Sequence, residues 1–201
     1  MFDYKIILGL IAVVIALAGY IPYFKDIFRG KTKPHAFTWL VWASLTGIAF
    51  FGQLFDGGGA GAWVTGFTAL VSFVIFFLAI GRGEKNITPS DKWSLSGAVV
   101  ALILWFLTDS PLGSVILITL IDALGFYPTF RKSYHKPHEE TMLTFFLSGL
   151  KFIIAIIALQ NYSVVTYLYP ASLVLMNFIF VGLLIVRRKQ QKNEITLERG
   201  F

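Results

Sequence analysis

The sequence predicts an all-α membrane protein of seven transmembrane helices, built as two parallel three-helix repeats joined by a linker helix. Three observations predict it. First, 56% of the 201 residues are hydrophobic and only 14% are charged, with a mean hydropathy of +0.72. A soluble domain is nearer a quarter charged. Second, Gly19-Tyr20-Ile21-Pro22-Tyr23-Phe24-Lys25 recurs as Gly125-Phe126-Tyr127-Pro128-Thr129-Phe130-Arg131, an offset of 106 residues. Lys33-Pro34-His35 recurs as Lys136-Pro137-His138 at an offset of 103, the second loop being three residues shorter. Such self-similarity at a fixed period marks a duplicated unit. Third, the loops between apolar runs alternate between basic and uncharged.

Crossing a bilayer takes roughly 20 helical residues. The runs that meet or approach this are Ile6–Tyr23, Ala36–Leu54, Gly59–Ile80, Trp93–Leu107, Gly113–Phe130, Thr141–Leu159 and Val164–Val186. Helices are required because hydrocarbon cannot satisfy an open backbone. Runs such as 11–17 (IAVVIAL) lack the alternation of a barrel strand. The first run also has the apolar core of a signal peptide, with Ala16-Leu17-Ala18 as a cleavage site. Its match to the internal run Gly113–Phe130 argues for a span instead. The divisions expected are 1–82 for the first repeat, 83–112 for the linker loop and helix, 113–188 for the second repeat and 189–201 for a tail.

Orientation follows from the loops. Lys25, Arg29, Lys31 and Lys33 follow the first span, Arg82, Lys85 and Lys92 the third, Arg131, Lys132 and Lys136 the fifth, and Arg187, Arg188, Lys189 and Lys192 the seventh. The intervening loops carry no Lys or Arg. The positive-inside rule then puts the N-terminus outside and the C-terminus in the cytoplasm, in the cell membrane. An odd number of spans between repeats makes them parallel. The net charge of +6 is accounted for by these loops and does not imply nucleic acid. With no cysteine, disulfides and thiolate chemistry are excluded.

Pro22 and Pro128 fall within a turn of the predicted cytoplasmic ends of the first and fifth spans. A proline there removes a helical hydrogen bond and either stops the helix or kinks it. Their matched depth favours a pair of hinges. Pro34 and Pro137 precede helices and suit a first turn.

Two triple-helix units around a linker, each with a Gly-aromatic-x-Pro motif and a basic loop, resemble the PQ-loop superfamily, and within it the SWEET and SemiSWEET transporters. In both copies the residue after proline, Tyr23 or Thr129, stands where the name-giving motif has Gln. The resemblance implies a transporter of a small polar, sugar-like solute working by alternating access, facilitated or proton-coupled, with no enzymatic activity. It also implies a central site with Asn on the third helix of a triplet and Trp on the second. Asn177 and Trp42 are the substrate-binding candidates, with Ser72 and Phe145 at the matching positions of the other repeat. Receptors and accessory proteins that transport nothing share this helix arrangement, so fold alone does not decide.

Two ionisable side chains fall inside the predicted spans, Asp122 and Lys151. A charge at mid-bilayer costs about 2.5–3.5 kcal/mol on insertion scales, which makes both functional candidates. Lying at similar depth on successive spans, they are expected either to form a buried ion pair or to serve ion coupling. A retinal Schiff base at Lys151 with Asp122 as counter-ion is disfavoured, since retinal proteins carry that lysine on the seventh helix. Trp39, Trp63, Trp93, Tyr162, Tyr167 and Tyr169 are expected as interfacial anchors. The stretch 56–61 (DGGGAG) lacks the Lys-Ser/Thr of a phosphate loop and is expected as a flexible turn. No catalytic set, metal site or cofactor motif is expected. The partners are the lipid bilayer and a small polar solute, and a monomer is possible.

Overall fold

The computed structural model describes residues 3–107 and 111–198. Those residues form seven α-helices: α1 Tyr4–Phe28, α2 Ala36–Phe55, α3 Trp63–Arg82, α4 Pro89–Phe106, α5 Pro111–His135, α6 Met142–Ile157 and α7 Val164–Glu198. Short 3-10 turns precede α3 (Gly59–Ala62) and α6 (Pro137–Glu139). Four elements are long and apolar enough to cross a membrane, namely α1, α2, Gly59–Arg82 and the first 30 residues of α7. α6 is apolar but shorter.

α1 shows why these residues pack as they do. Asp3 accepts a hydrogen bond from the Lys5 backbone at its start, and Gly30, with φ 68°, follows its end. Its inner face carries Gly9, Ala12, Ala16 and Gly19 before Tyr20 and Tyr23. Ile7, Leu10, Val14, Leu17 and Ile21 are exposed on the other side. Small residues facing inward let backbones approach, which is how apolar helices associate where lipid removes the hydrophobic drive.

Within the first half, α3 lies between α1 and α2, whose backbones do not approach each other. Within the second, α7 lies between α5 and α6, whose backbones do not approach either. Across the halves, α1 packs on α6 and α2 on α5. The six helices close into a ring in the order α1, α3, α2, α5, α7, α6. α4 lies mainly against α5.

Three expectations need correction. Pro22 and Pro128 do not lie within a turn of a helix end, and the helix-stop alternative to the favoured hinges falls with that. Both lie inside continuous helices that run more than a turn further, to Phe28 and His135. A single proline removes one hydrogen bond and need not end a helix whose neighbours support it. The glycine-rich stretch is not a loose turn. Its 3-10 turn is buried between α1 and α6, and a β-carbon at Gly61 would stand 2.8 Å from the Ala155 carbonyl oxygen. The expected tail from 189 continues α7 through Glu198.

Candidate functional site

The motif glycines and the small inner residues draw the helices of the ring together around a central cavity of about 30 Å³, lined from all six of them. That is room for one or two waters. α1 contributes Tyr20 and α2 contributes Trp39, Trp42 and Thr46. α3 contributes Thr68 and Ser72, α6 Phe145, Ser148 and Lys151, and α7 Asn177. An aromatic chain forms one wall. Trp39 meets Tyr23 and Trp42 at 5.2 and 5.0 Å between ring centres, and Trp42 meets Phe126 at 4.4 Å.

All four predicted substrate-binding residues, Asn177, Trp42, Ser72 and Phe145, line this one cavity, and so does Lys151. Lys151 is fully buried. Its Nζ donates to Tyr20 Oη at 3.0 Å and Thr68 Oγ1 at 2.9 Å. It also lies 4.5 Å from the centre of the Tyr20 ring. Asn177 Nδ2 donates to the Leu173 carbonyl at 2.7 Å. The Trp42 indole nitrogen is buried without a partner.

The expected ion pair between Asp122 and Lys151 does not form. α5 and α6 are successive in sequence but separated in space by α7, so the two groups meet different neighbours. Asp122 Oδ1 accepts from Tyr169 Oη at 3.3 Å, and its Oδ2 has no partner. The retinal arrangement loses its counter-ion for the same reason. Tyr169 and Trp39, expected as interfacial anchors, are both buried.

Sequence reasoning missed Tyr20, Thr68 and Ser148. Tyr20 stands in the aromatic place of the repeated motif, and Thr68 and Ser72 are one turn apart on α3, so both carried a signal. Ser148 becomes recognisable only through contacts. A β-carbon at Gly19 would meet Leu147, and one at Gly125 would meet Val41. Both pairs are related by the motif's own offset of 106. In that register Trp42 corresponds to Ser148, and Phe145 to Trp39, rather than Trp42 to Phe145.

Both ends of the cavity are bridged between the halves. At the end bearing the basic loops, Lys132 and Glu140 form a buried ion pair within the second half, and Lys132 Nζ reaches across to the Lys33 carbonyl at 2.6 Å. Glu140 accepts from Tyr23 Oη at 3.1 Å. Beside them Thr32 and Thr141 join by their hydroxyls at 2.6 Å, and Lys33 pairs with Glu139 at 2.7 Å. At the opposite end Lys5 Nζ donates to the Leu159 carbonyl at 2.6 Å, and Gln53 Nε2 to the Thr166 carbonyl at 3.1 Å. The Ser163 hydroxyl donates to Asp56 at 2.5 Å.

His35 holds the N-cap position of α2 at the basic end without a side-chain capping bond and is fully buried, its Nε2 3.4 Å from Asp91 Oδ2 but neither ring nitrogen hydrogen-bonded. Arg131 grips the same carboxylate through Nε at 2.8 Å and Nη2 at 2.7 Å. Burial pushes the imidazole below its ordinary value, and the Asp91 charge offsets this only in part. For Asp91 the upward push of burial is outweighed by hydrogen bonds from Arg131 and Thr88, so its carboxyl sits low. Below the unfolded imidazole value of about 6.5, the unfolded chain holds more protons at His35 than the folded one. The contribution to stability is therefore complete above that pH and is lost as pH falls toward the lowered folded value. Thermal unfolding in detergent between pH 7 and 5 is expected to weaken less steeply in His35→Gln than in wild type. Equal slopes would assign the dependence to another group.

Among the described residues no three His, Cys, Asp or Glu side chains converge to hold a metal. No protein-family model, curated protein or solved structure matches this chain.

Proposed function

We propose that the chain is a seven-helix membrane transporter that carries a small polar solute through the central cavity by alternating access. The observation that carries this reading is the placement of the cavity. It lies between two helix triplets, and its two ends are closed by separate sets of bonds between those triplets. Breaking one set while keeping the other would open the cavity to one side only. The recurrence of the Gly19 and Gly125 contacts at the motif offset supports two parallel repeats. The 1-3-2 order of helices within each triplet supports them too. Pro22 and Pro128 lie near the basic end in the two helices that cross to the other triplet. A missing hydrogen bond there lets each helix bend as the halves rock.

Outward-facing Leu, Ile, Val and Phe side chains on α1, α3, α6 and α7 fit a lipid-facing surface. The basic loops then lie in the cytoplasm. Ser110, in the predicted outer loop, lies outside the described residues; Phe55, at the end of α2, is highly exposed. In this cysteine-free chain, single cysteines at Phe55 and Lys192 are expected to react with an impermeant reagent from opposite faces. Reaction from the same face would refute the seven-span count.

Solute uptake by purified protein in proteoliposomes tests the function itself. Uptake above that of empty vesicles supports transport. Binding without flux across a broad solute panel would favour a receptor or accessory protein. In the same assay Asp122→Asn separates the two energetic modes. Loss of pH-driven uptake with exchange retained assigns Asp122 the proton, and unchanged pH-driven uptake removes it from coupling.

A further inference from the structure

We infer that the central cavity takes a small monoanion of the carboxylate class, held at its charged end by Lys151. This rests on the cavity being the solute site.

The cavity is rich in donors and short of negative charge. Lys151 is fully buried, yet the side chains around the cavity include no Asp or Glu. The buried acid Asp122 is occupied with Tyr169 on another helix pair. An ammonium has three protons to donate. Two go to Tyr20 and Thr68; among the described residues the third meets no oxygen acceptor, only the Phe152 ring, whose centre is 4.9 Å from Nζ. Trp42 lines the same cavity, and its indole N–H, which can only donate, is also buried without an acceptor. Buried donors left unpaired in a native structure call for a partner that is missing. A carboxylate supplies two oxygens for two such donors and one negative charge for one uncompensated cation.

A neutral polyol would bring a further donor with every hydroxyl oxygen and would leave the buried charge uncompensated, which is costly in a dry site. A dianion would exceed the single lysine and carry net charge into the centre. The rest of the lining mixes apolar Phe126, Phe145, Phe152 and Leu173 with Thr46, Ser72, Thr144, Ser148 and Asn177. A space of about 30 Å³ restricts the anion to the smallest carboxylates.

The test compares charged and neutral isosteres at constant ionic strength. Thermal stability of the purified full chain is followed with formate, acetate and propionate, with the matching amides, and with glucose. A ligand that binds only the folded state raises its stability with concentration. At least one carboxylate is expected to stabilise the wild type at a concentration at least about tenfold below its amide, the scale of one hydrogen bond to a charged group. Trp42→Phe is expected to weaken the response about tenfold for the same reason, and Lys151→Met to abolish it. Should Lys151→Met fail to fold, the Trp42→Phe comparison decides. Equal response to acid and amide overturns the inference, as does a response to glucose alone, an undiminished response in a folded Lys151→Met or in Trp42→Phe, or no response to any carboxylate. The transport reading fails separately. A carboxylate that binds but never crosses the proteoliposome membrane leaves the anion site standing and removes transport. Flux of a neutral solute with no carboxylate response does the reverse.

Discussion

Lys132→Ala is expected to destabilise the protein by about 3–5 kcal/mol, the usual cost of stranding one partner of a buried ion pair. Lys132 and Glu140 are almost entirely shielded from solvent, and every strong contact of the pair is satisfied. Lys132 Nζ also donates to the Lys33 carbonyl at 2.6 Å and the Glu139 carbonyl at 3.2 Å. Removing the ammonium leaves the Glu140 carboxylate with one tyrosine hydroxyl. The double change Lys132→Met with Glu140→Leu removes both charges and should recover most of the loss, because desolvation of a buried pair offsets much of its attraction. Unfolding in detergent measures both. A single variant within about 1 kcal/mol of wild type would mean that water reaches the pair and that it does not seal this end of the cavity.

The second large effect is on movement. Thr32 and Thr141 touch by their hydroxyls across the two halves, and the chain has no cysteine of its own. Replacing both by cysteine places two sulfurs where a disulfide can form. Oxidation is expected to abolish solute flux in proteoliposomes, and reduction to restore it, because the inner end can no longer open. The unoxidised double variant serves as its own control for folding. Flux that persists with the crosslink complete would mean that this contact is not part of the gate.

Much of this architecture was legible in the sequence. Hydropathy marked the helices, four of which are long and apolar enough to cross a membrane. The duplicated motif marked the two glycines whose missing β-carbons let α1 approach α6 and α5 approach α2. Asn177, Trp42, Ser72 and Phe145 share one cavity because the motif sets the depth of each helix. Helix order was not legible. Consecutive helices were expected to touch, and with that expectation went the pairing of Asp122 with Lys151. A periodic apolar pattern says which face is buried, but not which neighbour covers it. Tyr169 and Trp39 were misjudged for a related reason, because an aromatic near a span end serves equally as an anchor or as packing. The burial of the glycine-rich turn depends on Ala155 and Leu159, about a hundred residues away.

The central claim is that one cavity is open to each side of the membrane in turn. Ser148 lines that cavity and tolerates a cysteine with little change in size. In Ser148→Cys, a small impermeant thiol reagent is expected to label the protein when added to either face. With the Thr32–Thr141 crosslink also in place, labelling from the cytoplasmic face should stop while labelling from outside continues. Labelling from one face only without the crosslink, or labelling from the cytoplasmic face that persists with the crosslink complete, would contradict alternating access through this gate.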